Sequence, residues 1–119
     1  MPITISGSSN FSAHAELMRS LMQHMLHKKS PQVIYTPNRK DNISESIHAV
    51  AALSLADFKY SDSAQFLSSN TDELVLFLNT PVKHSVRCLT LHKWFVSLKK
   101  PVHIIQLRTQ GAPKPLAQI

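Results

Sequence analysis

Apolar and polar residues follow two different periods along this chain, and the period changes repeatedly. Residues 2–6 alternate apolar and polar, which predicts a strand with Ile3 and Ile5 on one face. Residues 73–79 (ELVLFLN) are apolar with little interruption, which is typical of a strand buried on both faces of a parallel sheet. Shorter β-prone runs predict further strands at 32–35, 58–60 and 102–107.

Longer segments with apolar residues three and four positions apart separate these strands and predict amphipathic helices. The first helix is predicted to begin at a Ser12 cap. Asn42 and Glu45 have the spacing of a capping box at the start of the second. A short third helix is predicted over 63–69. Thr80–Pro81 predicts the beginning of the last helix, with Thr80 as its cap and Pro81 at its first position.

Helical spacing also predicts which side chains face the core. The second helix is predicted to bury Ile43, Ile47, Val50, Ala51 and Leu55. The last helix is predicted to bury Val82, Val86, Leu89, Trp94, Phe95 and Leu98. Because strands alternate with helices, we predict a single α/β domain over 1–108, with a mostly parallel sheet and helices on both faces. Residues 109–119 lack periodicity and are predicted to form a loose tail.

Composition narrows the function classes. The 119 residues carry a formal net charge of +6, with one cysteine and two glycines. A single cysteine excludes a disulfide within the chain, and so few glycines disfavour a glycine-rich phosphate loop. No apolar run approaches the roughly 18 residues that span a membrane, and the first residues lack the pattern of a secretion signal. The expected location is therefore the cytoplasm.

Histidine and cysteine residues offer one arrangement that could carry chemistry. His84, Cys88 and His92 are spaced four apart and would follow one helix face, although a zinc site needs further ligands. The alternative interpretation is that Cys88 packs as a small hydrophobic residue. No glycine brackets a serine or the cysteine as a nucleophile turn requires. We therefore predict no catalytic residue, no metal and no cofactor, with a small enzyme or metal site as a rival hypothesis.

Basic residues are predicted to collect where the strands end. The carboxyl ends of parallel strands meet at one edge of the sheet, which is the usual position of a ligand site. That edge is predicted to carry Arg39, Lys40, Lys83 and Arg108. It could receive a phosphate, a nucleic-acid backbone or an acidic protein surface. A nucleotide pocket is the least favoured of these, because without glycine the backbone cannot closely approach a phosphate.

The order of the elements resembles that of one family. The segments that carry the resemblance are ITIS, AELMRSLMQHML, QVIYTP, ELVLFLN and VHIIQLR. In this respect the chain is similar to the SOS-induced bacterial cell-division inhibitors of the SulA family. The resemblance implies a RecA-like sheet without a nucleotide loop. It also implies a non-enzymatic inhibitor that binds and sequesters the tubulin-like division GTPase.

The same resemblance suggests where a protein partner would bind. Tyr35 matches the family residue immediately before Thr-Pro and is the first candidate. Lys28, Lys29, Arg39 and Lys40 are added on charge alone, since a basic surface would speed association with an acidic GTPase. The alternative is a basic regulatory protein of bacterial, plasmid or phage origin that associates with nucleic acid through its positive charge. The oligomeric state stays open.

Overall fold

Five strands alternate with four helices in the computed structural model, which describes residues 2–7, 15–29, 32–39, 42–78 and 85–106. The elements in chain order are β1 Ile3–Gly7, α1 Ala15–Lys29, β2 Val33–Thr36, α2 Asn42–Leu53, β3 Asp57–Tyr60, α3 Ala64–Asn70, β4 Glu73–Leu78, α4 Val86–Ser97 and β5 Val102–Gln106. The predicted caps at Ser12 and Thr80–Pro81, the predicted core residue Val82 and the predicted tail at 109–119 lie outside the described residues.

All five strands pair in parallel, in the order β3-β2-β1-β4-β5. This confirms the predicted α/β fold with a parallel sheet. The central strand is β1, and every one of its residues is buried, Thr4 and Ser6 included. The Thr4 hydroxyl is satisfied by the Thr71 hydroxyl at 2.8 Å. The apolar strand β4 lies beside β1 and is covered on both faces, as its sequence predicts.

Helices cover both faces of the sheet. On one face, α1 and α2 close over a core that contains Ile3, Ile5, Met22, Leu26, Ile34, Ile43, Ile47, Val50, Ala51, Val75 and Phe77. On the other face, α3 and α4 close over Leu67, Leu74, Leu76, Leu78, Cys88, Leu91 and Phe95. Strand β4 contributes alternate side chains to both layers, which explains its continuous apolar sequence.

The buried face of α4 differs from the predicted one. Phe95 is buried as predicted, but Val86 is 81% exposed, and Trp94 and Leu98 also reach the surface. The side chains that point inward are Cys88, Leu91 and Phe95, at i, i+3 and i+7. The Ser85 hydroxyl accepts a hydrogen bond from the Cys88 amide at 3.3 Å and so caps the helix at this point. Cys88 and Leu91 were not among the side chains predicted to face the core, so the predicted apolar stripe was misplaced around the helix.

Leu55 was also assigned wrongly to a core face. It is 94% exposed and has a φ of 58°, in the left-handed region. The Ala56 amide donates to the Ala51 carbonyl at 2.9 Å, so this backbone closes the end of α2. Lys99 has the same φ beyond α4, where the Lys100 amide donates to the Phe95 carbonyl. Both helices therefore end in the same reversed turn, which carries the next residue away from the helical face.

Candidate functional site

The carboxyl edge of the sheet is formed by the last residues of the five strands. The strand order reverses between β1 and β4, and in open parallel sheets ligands bind outside the carboxyl ends at such a reversal. The segments that follow β1 and β4, at 8–14 and 79–84, lie outside the described residues. The segment that follows β2, at 37–39, is described and borders two surface pockets.

Asn38 joins the ends of β1 and β2 through a buried set of hydrogen bonds. The Ser6 hydroxyl donates to Asn38 Oδ1 at 2.7 Å, and Asn38 Nδ2 donates to the Gly7 carbonyl at 3.3 Å. The backbone amide of Asn38 donates to Thr36 Oγ1 at 3.1 Å. Asn38 is only 1% exposed, so these bonds form where water cannot replace them. The segment after β2 is therefore fixed to the centre of the sheet.

Arg39 lies at the surface immediately after this buried residue. Its guanidinium carbon is 3.6 Å from the centre of the Tyr60 ring, a cation–π arrangement. Parallel pairing places Tyr60 beside Thr36, so β3 brings the ring to the end of β2. A guanidinium that stacks flat on a ring can still donate hydrogen bonds from its edges, and that planar set of donors fits a phosphate or carboxylate.

The stacked pair borders an open groove of about 420 Å³ on the α2 side of the sheet. The groove is lined by Asn38, Arg39, Ser44, Glu45, His48, Phe58 and Tyr60. The His48 ring packs on the Phe58 ring with 5.1 Å between the centroids. The β3 side chains Tyr60 and Phe58 thus hold Arg39 and His48 beside one groove. The volume of this groove is within the usual range for a small-ligand site.

A second pocket, of about 220 Å³, lies on the other face between α3 and α4. It is lined by Pro37, Asp62, Ala64, Leu67, Arg87, Thr90 and Leu91. Leu67 and Leu91 are buried core residues, whereas Asp62 and Arg87 are exposed. The pocket therefore has an apolar floor and a charged rim. Pro37 lines this pocket and Arg39 lines the groove, so one short segment separates the two.

The predicted partner-binding residues do not form one described surface. Tyr35 is half-buried on the α3–α4 side, where its ring meets the Phe66 ring edge-on at 5.8 Å. Arg39 stacks on Tyr60 on the opposite side of the sheet. Lys28 and Lys29 end α1 at the amino edge, just before β2 begins. Their side chains, and all of Lys40, lie outside the described part of the chain.

The remaining cations of the predicted basic edge, Lys83 and Arg108, fall outside the described residues as well. The sequence pattern singled out Arg39 but not Asn38, and it placed Tyr60 only within the strand predicted at 58–60. Asn38 and Tyr60 both lie at or just after the end of a strand, and that position is the sequence feature that could have identified them. Residues at the carboxyl ends of two paired parallel strands lie close together. The sequence did not show that β2 pairs with β3, and this pairing is what brings Arg39 to Tyr60.

Cys88 packs as a hydrophobic residue, as the second interpretation of its sequence context predicted. Burial raises the pKa of the thiol, while hydrogen bonds with Ser85 and Ser6 and the charge of Arg87 act in the opposite direction. His84 lies outside the described residues. Within the described ranges, no three His, Cys, Asp or Glu side chains lie close enough to hold a metal ion. Cys88 is therefore a protonated, inaccessible thiol at neutral pH.

The raised pKa of Cys88 predicts a loss of stability in mildly alkaline solution. The thiol of the unfolded chain ionises above about pH 8.5, whereas the folded thiol keeps its proton, so the unfolded state binds fewer protons there. The free energy of unfolding should therefore fall as pH rises through this range. Urea unfolding at about pH 7.5 and pH 9.5 should show a steeper decline for the wild type than for Cys88→Ala. Equal declines would contradict this assignment.

The chain matches no protein-family model, and no curated protein or solved structure gives a significant match to it. No helix in the described part of the chain is both long and apolar enough to cross a membrane.

Proposed function

We propose that this domain binds a phosphorylated nucleotide across the carboxyl edge of its sheet, with Arg39 as a phosphate-binding residue. The observation that carries the proposal is the position of Arg39, which is stacked on Tyr60 at the end of β2, one strand from the reversal of strand order. The strand order β3-β2-β1-β4-β5 corresponds to the first five strands of the order 3-2-1-4-5-6 found in dinucleotide-binding α/β sheets. The proposal concerns binding alone, and it assigns no catalytic residue.

The groove on the α2 side supports the phosphate end of the ligand. Contact with the Tyr60 ring holds the Arg39 guanidinium in place, so its paired N–H groups can receive a phosphate without ordering a free side chain. In sheets of this topology, an arginine near this position accommodates the 2′-phosphate of NADP. The net charge of +6 adds a long-range attraction for anions.

The pocket between α3 and α4 supports the base end. Its floor, formed in part by Leu67 and Leu91, is apolar and can cover the face of a heterocycle. The Asp62 carboxylate at its rim accepts hydrogen bonds, as an exocyclic amino group requires. A base in this pocket and a phosphate at Arg39 would lie on either side of the Pro37–Arg39 segment. An adenine nucleotide with a phosphate near the ribose carries both of the groups required.

Replacing Arg39 tests the proposal. Calorimetric titration of the 119-residue protein with NADP⁺ should give saturable binding, and Arg39→Gln should weaken it by at least about tenfold, because a charge-assisted hydrogen bond is lost. Arg19→Gln removes the same charge from α1 at a residue that lines neither pocket, and should leave the affinity unchanged. NAD⁺ should bind more weakly than NADP⁺. Absence of NADP⁺ binding, or equal affinities for the wild type and Arg39→Gln, would refute the proposal.

A protein-binding regulator of the SulA type is the second candidate. The observation that favours it is an aromatic pair at the surface of α3, in which Phe66 is 42% exposed and meets the Tyr35 ring edge-on. Aromatic side chains of this kind are frequent anchors at protein interfaces. The partner proposed for this case is the tubulin-like division GTPase. The nucleic-acid alternative stays a prediction that rests on net charge.

Polymerisation of the tubulin-like GTPase in the presence of the protein tests this second candidate. If the candidate is correct, the wild type should inhibit assembly, and the double variant Tyr35→Ala with Arg39→Glu should inhibit less. Because Phe66 lines neither pocket, Phe66→Ala should weaken inhibition while leaving NADP⁺ affinity intact. If the wild type leaves assembly unchanged, or if the double variant inhibits as strongly as the wild type, this surface is not the inhibitory one.

A further inference from the structure

We propose that His48 is a second phosphate-binding residue, which contacts the same phosphate group as Arg39 within the groove on the α2 side of the sheet. The group recognised is then a phosphate monoester, such as the 2′-phosphate of NADP⁺. The inference rests on the proposed nucleotide binding and deepens it, because it assigns the preference for NADP⁺ over NAD⁺ to two side chains rather than to Arg39 alone.

The His48 side chain is accessible to a ligand in this groove. It is exposed on α2 and lines the groove together with Arg39. Its ring rests against the Phe58 ring, with 5.1 Å between the centroids and 60° between the planes. Among the described residues the imidazole forms no hydrogen bond, so its ring N–H is available. A neutral imidazole has one such donor and an imidazolium has two, so His48 can donate to a phosphate in either protonation state.

Strand β3 sets the separation of the two donors. Phe58 and Tyr60 are alternate residues of this strand, so their side chains point to the same face and their Cα atoms are about 6.6 Å apart. Arg39 lies over the Tyr60 ring and His48 lies against the Phe58 ring. A phosphate that accepts a charge-assisted hydrogen bond of about 2.8 Å on each of two sides needs donors at a comparable separation. The spacing of the two rings therefore suits one phosphate shared by Arg39 and His48.

The beginning of α2 adds one acceptor to these donors. Of the described residues that line the groove, Glu45 alone is acidic, and its carboxylate opposes an anion while the positive end of the helix dipole favours one. A carboxylate accepts hydrogen bonds from hydroxyl groups. The ribose of NADP⁺ carries a free 3′-hydroxyl beside its 2′-phosphate. A ribose 2′-phosphate therefore offers a donor to Glu45 and acceptors to Arg39 and His48.

Replacing His48 and comparing two dinucleotides tests the inference. Calorimetric titration of the 119-residue protein should show that His48→Ala weakens NADP⁺ binding by about fivefold or more, because a hydrogen bond to a charged group is lost. Binding of NAD⁺, which lacks the 2′-phosphate, should weaken by no more than about twofold. His24→Ala is the matched control, since His24 is exposed on α1 and lines neither pocket. It should change neither affinity.

A second measurement locates the contact on the ligand. In ³¹P nuclear magnetic resonance spectra, NADP⁺ gives separate signals for its 2′-phosphate and its pyrophosphate. At saturation the wild type should shift the 2′-phosphate signal. His48→Ala should reduce that shift and leave the pyrophosphate signals where the wild type has them. Because alanine favours helix and this position is exposed, the variant should keep α2 intact.

Each outcome decides the role of His48. A selective loss of NADP⁺ affinity in His48→Ala, with a reduced shift of the 2′-phosphate signal, supports it. Unchanged NADP⁺ affinity, equal losses for NADP⁺ and NAD⁺, or a His24→Ala variant that behaves like His48→Ala would overturn it and leave the proposed function standing. A 2′-phosphate signal that His48→Ala leaves at its wild-type position also overturns it, because the contact would then lie elsewhere on the ligand. A wild type that does not bind NADP⁺ overturns the proposed function, and the role of His48 with it.

Discussion

Replacing Phe95 by alanine is expected to lower the free energy of unfolding by about 3–5 kcal/mol. Phe95 is completely buried, and it packs in the α3–α4 layer with Leu91 and Leu76 as fellow members of the core. The loss combines the transfer of a phenyl ring to water with a cavity that its neighbours fill only in part. Urea unfolding monitored by circular dichroism measures the change directly.

The control for Phe95 is on the same helix. Val86 was predicted to share the buried face with Phe95, but it is 81% exposed. Val86→Ala should therefore change the free energy of unfolding by no more than about 0.5 kcal/mol. Comparable losses in the two variants would mean that the apolar stripe of α4 lies where the sequence pattern first put it. The pair thus tests the orientation of α4 as well as the burial of one ring.

Gly7→Ala is the second substitution with a large expected effect, about 3 kcal/mol of destabilisation. A Cβ at Gly7 would overlap the Phe77 carbonyl oxygen and would lie 2.6 Å from Ile43 Cδ1. The constraint is one of space, because β1 and β4 approach each other here while α2 packs on the same face. The change would also move the carbonyl that accepts a hydrogen bond from Asn38. Denaturant unfolding gives the magnitude.

A double variant separates the two clashes at Gly7. Ile43→Val removes Cδ1, so combining it with Gly7→Ala should recover part of the lost stability relative to the sum of the single changes. Recovery should be incomplete because the Phe77 carbonyl oxygen belongs to the backbone and cannot be removed. Strict additivity of the two substitutions, or a Gly7→Ala variant as stable as the wild type, would contradict the close packing described for this position.

Local patterns were sufficient for most of the fold. The apolar run of β4 and the alternation of β1 required no knowledge of distant residues, and right-handed crossovers then favoured a parallel sheet. The inner face of α2 from Ile43 to Ala51 was also correct, because helical spacing is a local property. Two errors remain. The buried face of α4 runs through Cys88 and Leu91 rather than through Val86 and Trp94, and Leu55 lies beyond the end of α2. In the sequence, Leu55 follows Ala51 at helical spacing, but the reversed turn at its positive φ points its side chain into solvent.

The site depended on contacts between residues far apart in the chain. Arg39 and Tyr60 are 21 positions apart, and only the pairing of β2 with β3 brings them together. Ser6 and Asn38 meet for the same reason across β1 and β2. Glycine content disfavoured a nucleotide in the sequence interpretation, which considered only loops that bind phosphate through their backbone. An arginine that stacks on an aromatic ring can bind phosphate by its side chain. No short sequence motif identifies such an arginine.

The most direct test of the central claim is the location of bound NADP⁺ on the isotopically labelled protein. Amide resonances should be assigned and followed by nuclear magnetic resonance during a titration with the nucleotide. The proposed site predicts progressive shifts at Thr36–Arg39, at Tyr60–Asp62 and around Leu91, while the amino edge near Lys100 stays unchanged. An unchanged spectrum, or shifts confined to residues away from the carboxyl edge, would contradict the assignment of this edge as a nucleotide site.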